Sequence, residues 1–352
     1  MNIKITGSGS YIPTQIIKNA DFSKHEFLNE DGSPFQYSND VVAEKFKQIT
    51  GIEERRYADD NQTTSDIALL ACQKAIENAG INAETLDYII FAHNFGDVNH
   101  GAIQSDAVPS LAARVKQKLK IRNPKCVAYD ILFGCPGWIE GVIQAKAFIQ
   151  AGMAKRCLVV GAETLSRVID AHDRDSMIYS DGAGATVIEA VDENCGILAH
   201  ASATFAIDEA DYLFFGNSYN KNLDKDVRYI KMYGRKIYEF ALSEVPKAMK
   251  ECLDNSGISI NNVKKILIHQ ANEKMDEAII NRFYKLYKRS APHGIMPMSI
   301  HKLGNSSVAT VPTLYDLLVN NKIENQELHK DDIIIFASVG AGMNINAIIY
   351  KM

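Results

Sequence analysis

The hydrophobic and polar positions along the chain alternate between helix and strand periods, and one order of elements occurs twice. Residues 71–92 (ACQKAIENAGINAETLDYIIFA) and 248–269 (AMKECLDNSGISINNVKKILIH) align without gaps. Each begins with the amphipathic spacing of a helix, reaches a glycine typical of a helix C-terminus, and continues through a polar connector into an apolar strand. The pattern predicts one helix–turn–strand unit in each half of the chain, with Ala92 and His269 at equivalent places.

A weaker repeat follows each unit, in which a glycine-marked turn leads into a helix and then a strand. Matching the turns places Gly134-Cys135 opposite Gly304-Asn305, each at a helix start. Strands such as IIIFA are apolar at every position, which is typical of strands that helices cover on both faces. We therefore expect a layered α/β protein with two similar halves, 1–190 and 196–352. A chance similarity between common helix–strand units is the alternative.

One segment lies outside the repeat, and the secondary structure of a second segment is ambiguous. Residues 22–40 are polar and contain Gly and Pro, so they predict a surface loop or insertion, with a lid over a pocket as the alternative. Residues 219–238, rich in Tyr and Lys, fit either a loop or the start of the helix that follows.

Composition narrows the class of protein. The chain has 352 residues, 46% of them hydrophobic, and a formal net charge of −5, which argues against a nucleic-acid-binding protein. No apolar run approaches the roughly 20 residues of a membrane span, so we expect a cytoplasmic protein. Six cysteines show no Cys-x-x-Cys pair and no metal-ligand spacing, which predicts reduced thiols and no metal site.

Cys135 is the cysteine whose surroundings suggest chemistry. It lies where the strand CVAYDIL gives way to Phe133-Gly134, and Pro136-Gly137 then begins a helical pattern. At or beside a helix N-cap, free N–H groups and the helix dipole favour a thiolate and predict a lowered thiol pKa. A single cysteine is more often a small buried hydrophobe, which is our interpretation of Cys72, Cys126, Cys157 and Cys252.

His269, Asn305 and the glycine-rich end could complete a site. His269 ends an apolar strand, where α/β proteins usually build their sites, although His93 occupies nearly the same place in the first half. Asn305 alone would indicate a turn or an N-cap. The segment 338–343 (SVGAGM) could bring a backbone N–H to a substrate oxygen, or could simply be a tight turn, but it is not a phosphate-binding motif.

Taken together and in order, these motifs resemble the β-ketoacyl-[acyl-carrier-protein] synthase III family of the thiolase-like superfamily. The resemblance is carried by YDILFGCPGW, DRDSMIYSDGAGATV, ILIHQANEKM, LGNSSVATVP and SVGAGMN, and covers nearly the whole chain. It implies a thiolase-like fold of two pseudo-symmetric halves in a layered αβαβα architecture. It also implies an acyltransferase that condenses an acyl thioester with malonyl-acyl carrier protein, in fatty acid initiation or a related specialised pathway.

The resemblance assigns roles to individual residues. Cys135 would carry the acyl group, and His269 and Asn305 would act on the extender. The backbone N–H groups of Cys135 and Gly342 would hold the oxyanion. No permanently bound cofactor is implied, and acyl-CoA or acyl-carrier protein and malonyl-carrier protein are the expected substrates.

Further positions concern substrate and partner binding. Arg174 and Asn272 correspond to contacts for coenzyme A or phosphopantetheine, although Arg174 could instead form an ion pair with Asp173 or Asp175. Lys274 matches a basic position that docks the acidic carrier protein in the family. Four further basic residues could extend this docking patch or could simply form a solvated helix face: Arg282, Lys285, Lys288 and Arg289.

Two departures from the family pattern affect the acyl donor. Lys45 and Ile49 stand where well-known members carry the tryptophan and arginine that sandwich the adenine of coenzyme A. The loss of that stacking makes a carrier-bound or longer acyl donor more plausible than acetyl-CoA. The insertion 22–40 and the bulky Trp138 are expected to reshape the acyl pocket.

Quaternary structure and two alternative functions complete the sequence-based expectations. Segment 101–115 (GAIQSDAVPSLAARV) resembles the family's dimer-contact region, so a homodimer is expected. An acyltransferase that passes the acyl group from Cys135 to a non-malonyl acceptor is one alternative. A non-catalytic carrier-protein-binding subunit is the other, and the presence of Cys135, His269 and Asn305 argues against it.

Overall fold

The structure, a computed structural model, describes residues 2–352. Its strands within that range are β1 (Asn2–Tyr11), β2 (Gln15–Lys18), β3 (Glu54–Tyr57), β4 (Tyr88–His93), β5 (Val127–Leu132), β6 (Arg156–Thr164), β7 (Asp181–Val191), β8 (Gly196–Thr204), β9 (Leu213–Gly216), β10 (Tyr229–Met232), β11 (Val263–Ile268), β12 (Ile333–Gly340) and β13 (Asn344–Lys351). Its α-helices there are α1 (Asn39–Thr50), α2 (Thr64–Ala79), α3 (Leu111–Lys118), α4 (Gly137–Gln150), α5 (Gly234–Ser256), α6 (Glu273–Leu286), α7 (Ile300–Leu303) and α8 (Thr310–Val319).

Two sheets organise these elements. The first has the order β1-β7-β6-β4-β5, with β4 parallel to β5 and β6, and β7 antiparallel to β1 and β6. The second has the order β11-β12-β13-β8, in which β11 and β12 are parallel. The first sheet takes its strands from residues 2–191 and the second from residues 196–351.

The helices lie in three layers around the two sheets. Helix α2 packs on the outer face of the first sheet, and α5 packs on the outer face of the second. Helices α4 and α8 contact both sheets and fill the layer between them. The layered αβαβα arrangement predicted from the sequence is therefore confirmed, because helices cover both faces of each sheet.

The repeated helix–turn–strand units are also as predicted. Helices α2 and α5 both end at a glycine in the left-handed conformation, Gly80 with φ 65° and Gly257 with φ 71°. Such a glycine satisfies the last helical carbonyl groups without a Cβ clash and redirects the chain. The strands β4 and β11 follow after a short 3-10 turn in each case.

Three local features differ from or refine the sequence prediction. The ambiguous segment 219–238 contains β10, which pairs with β9 in a hairpin, and then the first turn of α5. Strand β5 is not buried but is an edge strand, with Leu132 78% exposed. Trp138 is fully buried in the core, where its Nε1 donates to Thr186 Oγ1 at 3.2 Å and its ring packs on Phe336.

Among residues 2–352, none of the helices has both the length and the apolar character needed to cross a membrane.

Candidate active site

The three predicted catalytic residues meet at one cavity of about 490 Å³. It lies between the ends of strands from both sheets and the β9–β10 hairpin. Cys135, His269 and Asn305 all line it, together with Gly342. The remaining wall is mostly apolar and is formed by Phe95, Leu132, Phe133, Leu165, Ile178, Leu213, Phe214, Phe215, Ile230, Met232, Ile237, Met275, Val339 and Met343. Such a cavity, apolar with a few polar groups on one wall, suits an acyl chain with its reactive end at Cys135.

Cys135 lies immediately before the N-cap of α4, as the sequence predicts. Pro136 is the N-cap and Gly137 is the first helical residue, and the turn is closed by a bond from the Gly137 N–H to the Gly134 carbonyl at 2.7 Å. The end of β12 packs closely against this turn: a Cβ on Gly340 would lie 2.6 Å from the Cys135 backbone nitrogen. Glycine at position 340 therefore permits the end of β12 to approach the nucleophile turn.

The predicted lowering of the thiol pKa is wrong for the free protein. The pKa of Cys135 is raised to about 11, chiefly by burial; a hydrogen bond from Ser307 opposes this shift, and the nearby Glu163 carboxyl adds a smaller contribution to it. Removal of water from the sulfur outweighs the favourable position at the helix start. The thiol is consequently neutral near pH 7 until a substrate or a proton acceptor shifts the equilibrium.

His269 follows β11 directly and is 4% exposed. Its backbone N–H donates to the Ala337 carbonyl on β12 at 2.9 Å, which fixes the residue against the neighbouring strand. Its buried Nδ1 has no hydrogen-bond partner among residues 2–352, and burial lowers the pKa of the imidazole to about 4. His269 therefore presents a neutral imidazole to the cavity wall, and Nδ1 is buried away from the cavity surface.

His93, which occupies nearly the same place in the first half, is hydrogen-bonded through both ring nitrogens. Its Nε2 lies 3.0 Å from Asp130 Oδ2, and its Nδ1 accepts from the Gly96 N–H at 2.9 Å. The Asp130 carboxylate also accepts the backbone N–H groups of Leu111 and Ala112. His93 therefore anchors the start of α3 and has no free nitrogen for chemistry.

Asn305 belongs to a turn of the second half that is hydrogen-bonded to the first half of the chain. Its backbone N–H donates to the Ile178 carbonyl at 3.0 Å, and its carbonyl accepts from the Ser180 N–H at 2.8 Å. Its side-chain Oδ1 accepts from the Ser307 N–H at 2.8 Å, which leaves the amide NH₂ group for the cavity. The α-helix predicted to begin here starts later, at Thr310, after a 3-10 turn over Ser307–Ala309.

Gly342 has φ 74° within the turn Ala341–Met343 that joins β12 to β13. A side chain at this position would be strained by the left-handed backbone and would press on Asn344, since a Cβ would lie 2.9 Å from its Nδ2. The turn borders the same cavity as Cys135. The role of its backbone N–H as an oxyanion donor stays a prediction from the family resemblance, and the position of Gly342 at the cavity is compatible with it.

A second cavity of about 430 Å³ adjoins the first. The two share the wall residues Ile178, Met232, Ile237, Ala271 and Met275. Arg174 and Asn272, the predicted coenzyme A or phosphopantetheine contacts, both line this second cavity. Asn272 is also the N-cap of α6, where its side chain accepts from the Met275 N–H at 3.1 Å.

The insertion 22–40 contributes two aromatic rings to the second cavity, Phe35 and Tyr37. The Arg174 guanidinium lies 4.6 Å from the centre of the Phe35 ring, and the Lys45 Nζ lies 3.8 Å from that of Tyr37. Arg174 also lies 3.6 Å from Asp175, so the predicted alternative ion pair is present as well. The insertion thus reaches the access side of the site, whereas Trp138 faces the core and does not line either cavity.

Lys274 is exposed on the first turn of α6, beside the second cavity. Arg282, Lys285, Lys288 and Arg289 are exposed along and after the same helix. Arg282 also donates from Nη1 to the Leu242 carbonyl at 3.1 Å, which ties it to α5. Among residues 2–352, no group of three or more His, Cys, Asp or Glu side chains is placed to hold a metal ion.

Three polar residues that the sequence motifs do not indicate form a hydrogen-bonded chain that ends at Cys135. Ser307 Oγ donates to Cys135 Sγ at 3.4 Å, Asn94 Nδ2 donates to Ser307 Oγ at 3.1 Å, and Glu163 Oε1 accepts from Asn94 Nδ2 at 2.5 Å. Asn94 and Glu163 stand at the carboxyl ends of β4 and β6, which are parallel neighbours. Polar residues at the ends of two buried strands were the available signal.

Comparison with known proteins places the chain among condensing enzymes. The family described as 3-oxoacyl-[acyl-carrier-protein] synthase III matches residues 129–205, and its C-terminal counterpart matches residues 253–352. The β-ketoacyl-[acyl-carrier-protein] synthase III of Staphylococcus haemolyticus (strain JCSC1435) is 32% identical over 352 residues, which is 100% of this chain and 99% of that protein.

Solved structures agree with that result. The 3-oxoacyl-[acyl-carrier-protein] synthase III of Aquifex aeolicus VF5 superposes with a TM-score of 0.81 at 28% identity, covering 99% of this chain and 100% of that one. The corresponding synthase of Thermus thermophilus gives 0.82 at 27% identity, with 99% of each chain covered. The predicted thiolase-like fold is thereby confirmed.

Proposed function

The chain belongs to the 3-oxoacyl-[acyl-carrier-protein] synthase III family, and from that premise we propose how its own residues perform the condensation of an acyl thioester with malonyl-acyl carrier protein. The observation that carries the proposal is the cavity that Cys135, His269, Asn305 and Gly342 line together. It combines a nucleophile, two groups able to bind an enolate oxygen and a backbone donor beside an apolar volume.

Acyl transfer to the enzyme is the first step. The Cys135 sulfur attacks the thioester carbonyl of the donor, and the backbone N–H groups of Cys135 and Gly342 hold the tetrahedral oxyanion. The carbon–sulfur bond of the donor then breaks, and the departing thiolate of the donor takes up the proton that Cys135 loses. The acyl chain occupies the apolar cavity.

Decarboxylation and condensation follow at the same place. Malonyl-acyl carrier protein replaces the departed thiol and loses CO₂, which leaves an enolate. The enolate oxygen receives hydrogen bonds from His269 and from the Asn305 amide, whose orientation the Ser307 N–H fixes. The enolate carbon attacks the acyl-cysteine carbonyl and the Cys135–acyl bond breaks. The Cys135 thiolate then takes a proton from solvent water as 3-oxoacyl-carrier protein leaves.

The second cavity is proposed to hold the thioester arm that both substrates share. A phosphopantetheine chain can pass along the wall that the two cavities have in common, with Asn272 and Arg174 beside it. Lys274 is exposed next to this opening and is proposed to meet the acidic carrier protein. Phe35 and Tyr37 provide aromatic surface there in place of the missing tryptophan, so a coenzyme A donor and a carrier-bound donor both remain compatible with the groove.

A homodimer is part of the proposal. Strand β5 exposes an unpaired edge of the first sheet, and Leu132 at its end is both 78% exposed and part of the cavity wall. Val108, in the segment predicted to contact a partner, is 87% exposed. An exposed sheet edge with apolar side chains is a pairing surface, and a second copy placed there would close the cavity near Leu132.

Intact-protein mass spectrometry with a panel of acyl-CoA and acyl-carrier donors tests the function. The expected result is an acyl adduct on the wild type and on the control Cys195→Ala, but not on Cys135→Ala. A chase with malonyl-carrier protein should remove the adduct and release CO₂ and 3-oxoacyl-carrier protein. An adduct that persists through the chase would indicate transfer to another acceptor, and absence of any adduct would refute Cys135 as the nucleophile.

A further inference from the structure

A chain of hydrogen bonds runs from a buried carboxyl group to the nucleophile. Glu163 Oε1 accepts two bonds from Asn94, one from the backbone N–H at 2.8 Å and one from the side-chain amide at 2.5 Å. The same amide nitrogen donates to Ser307 Oγ at 3.1 Å, and Ser307 Oγ donates to Cys135 Sγ at 3.4 Å. Glu163 is 1% exposed and Ser307 is 4% exposed, so water does not compete strongly for these bonds.

The direction of these bonds is fixed by the chemistry of the groups. The Asn94 amide nitrogen has two hydrogens, and it uses one on Glu163 and the other on Ser307. The Ser307 oxygen is thereby an acceptor toward Asn94, and its single hydrogen is left for the sulfur. The Asn94 amide therefore donates to Ser307, and the Ser307 hydroxyl donates to Cys135. Hydrogen bonds that point toward the sulfur in this way stabilise a negative charge on it.

The backbone of Ser307 supports the same interpretation. Its φ is 51°, in the left-handed region that non-glycine residues seldom adopt, and it is buried there rather than in an exposed turn. In this conformation its N–H binds Asn305 Oδ1 at 2.8 Å while its hydroxyl reaches Cys135. One residue thus contacts the side chains of both Cys135 and Asn305.

We propose that Ser307 is a further catalytic residue, whose hydroxyl donates to the Cys135 sulfur as negative charge forms on it, and that Asn94, held by Glu163, is the positioning residue that orients that hydroxyl. The inference rests on the proposed function for its place in the reaction. In that reaction sulfur becomes negatively charged twice, when Cys135 attacks the donor and when it leaves the condensation product.

The size of the effect follows from the surroundings of the sulfur. Burial raises the pKa of Cys135 to about 11, and the hydrogen bond from Ser307 opposes that shift. The other titratable groups that line the cavity are Tyr179 and His269, and Glu163 lies behind the Asn94 amide. Loss of one bond to a charged sulfur in such a site is expected to raise the thiol pKa by about one unit, which corresponds to a tenfold smaller thiolate fraction.

The test measures the rate at which iodoacetamide alkylates Cys135 between pH 6.5 and 9.5, followed on the intact protein by mass spectrometry. Ser307→Ala should be about three- to fourfold slower than wild type throughout this range, because the higher intrinsic nucleophilicity of a more basic thiolate offsets part of the tenfold smaller thiolate fraction. Ser307→Gly should be equally slow, since glycine accepts the left-handed backbone without strain but also lacks the hydroxyl. Asn94→Ala should slow alkylation by a smaller factor, about twofold, because the Ser307 hydroxyl stays but can rotate.

Ser306→Ala is the matched control. Ser306 is the neighbouring buried serine, but its Oγ pairs with Thr310 Oγ1 at 3.3 Å, so its removal should leave the alkylation profile unchanged. Thermal unfolding of each variant checks that the fold is intact, and Ser307→Gly gives a second protein if Ser307→Ala is unstable. Wild-type alkylation rates in folded Ser307→Ala or Ser307→Gly would overturn the inference, as would an equal loss in Ser306→Ala.

Alkylation requires no donor, carrier protein or extender, so the test separates the inference from the proposed function. If Cys135 accepts no acyl group from any thioester but Ser307→Ala still slows alkylation, the proposed reaction fails and the hydrogen-bond role stands. If acyl transfer and condensation proceed but the alkylation profiles coincide, the reaction stands and the role of Ser307 fails.

Discussion

Burial keeps two of the proposed catalytic side chains uncharged near neutral pH, and this governs how the site responds to acid and base. The pKa of Cys135 is raised to about 11 and that of His269 is lowered to about 4. A neutral imidazole suits a group that must face an enolate oxygen without carrying a fixed charge before the substrate arrives. Sequence position alone suggested a lowered thiol pKa, because the depth of burial depends on contacts from β12 and the Asn305 turn that are distant in sequence.

The lowered pKa of His269 predicts a loss of stability in acid. The unfolded chain binds a proton at this residue near pH 6.5, whereas the folded chain does so only near pH 4. Stability from the neutral buried ring is therefore present above pH 6.5 and is lost as the pH falls toward 4, by about 3 kcal/mol in total. Urea unfolding at pH 7 and pH 4.5 should show a smaller acid loss for His269→Gln than for wild type. Equal losses would contradict the assignment.

Substitution of Asn305 is expected to slow decarboxylation of the extender far more than acylation of Cys135. In Asn305→Asp the Oδ1 acceptor for the Ser307 N–H remains, but the amide donor toward the enolate is replaced by a carboxylate oxygen. We expect decarboxylation of malonyl-carrier protein to fall about 10²- to 10³-fold, as for loss of one donor to a developing oxyanion. The acylation burst on the same protein should change far less and serves as the internal control. A comparable fall in both steps would mean that Asn305 supports the turn rather than the enolate.

At the scale of elements, helix α4 positions the nucleophile by approaching the first sheet closely. A Cβ on Gly141 would come within 2.7 Å of Val159 Cγ1 on β6 and 3.4 Å of Ile90 Cγ2 on β4. Glycine here gives up about 1 kcal/mol of helix propensity relative to alanine, but it lets the helix lie flat on the strands that end beside the site. The close contact between α4 and the first sheet therefore helps to fix the position of the Cys135 turn at the start of this helix.

Gly141→Ala is accordingly predicted to destabilise the protein. Overpacking of a close helix–strand contact costs roughly 1–3 kcal/mol, which exceeds the roughly 1 kcal/mol gained in helix propensity. Chemical denaturation should show a net loss on the order of 1 kcal/mol. Gly234→Ala is the matched control, since a Cβ at this first residue of α5 meets nothing within 4 Å, and its stability should be unchanged or raised. A stabilised Gly141→Ala would refute the packing argument.

The elements that could be predicted from the sequence are those set by local pattern. The helix ends at Gly80 and Gly257 and the start of α4 after Pro136 depend on neighbouring residues, and all were predicted. The β9–β10 hairpin was not, because its pairing and its position over the cavity depend on distant contacts such as that between Phe95 and Phe215, whose rings stack at 4.7 Å. A periodicity in the sequence contains no information about such a contact.

The candidate site shows the same division. Cys135, His269 and Asn305 were chosen from motifs, and the fold brings them to one cavity. Asn94 and Glu163 belong to no motif, and their nearness to the nucleophile comes from the parallel register of β4 and β6. The direction of the Trp138 side chain was likewise misjudged, since position next to the nucleophile turn does not tell which side of α4 faces the core.

At the scale of the whole molecule, the two sheets are joined through the layer of α4 and α8 and through the Asn305 turn. The turn binds residues of the first half at Ile178 and Ser180, while its own helix α8 packs against both sheets. The site is therefore assembled from both halves. The division at 1–190 and 196–352 stays a prediction about domains, although each sheet takes its strands from one of these ranges.

The proposed homodimer makes a prediction at this scale. Leu132→Glu places a charge on the exposed end of β5, where a partner strand would bury it, and should convert a dimer into a protein with the mass of one chain. Sedimentation or gel filtration with light scattering measures the mass. Ile207→Glu, which changes a 96% exposed residue outside the predicted contact segment, should leave the mass unchanged. A wild type that already has the mass of one chain would rule out the dimer.

The shared wall between the two cavities has a consequence for inhibitor design. Two weak compounds, one seated in the apolar 490 Å³ cavity and one among Phe35, Tyr37 and Arg174 in the 430 Å³ cavity, would be separated only by the side chains that both cavities share. A short linker along that wall would turn the second binding event into an intramolecular one and raise affinity well above that of either fragment. Because the insertion 22–40 supplies part of the outer cavity, the linked compound would also distinguish this chain from relatives that lack those rings.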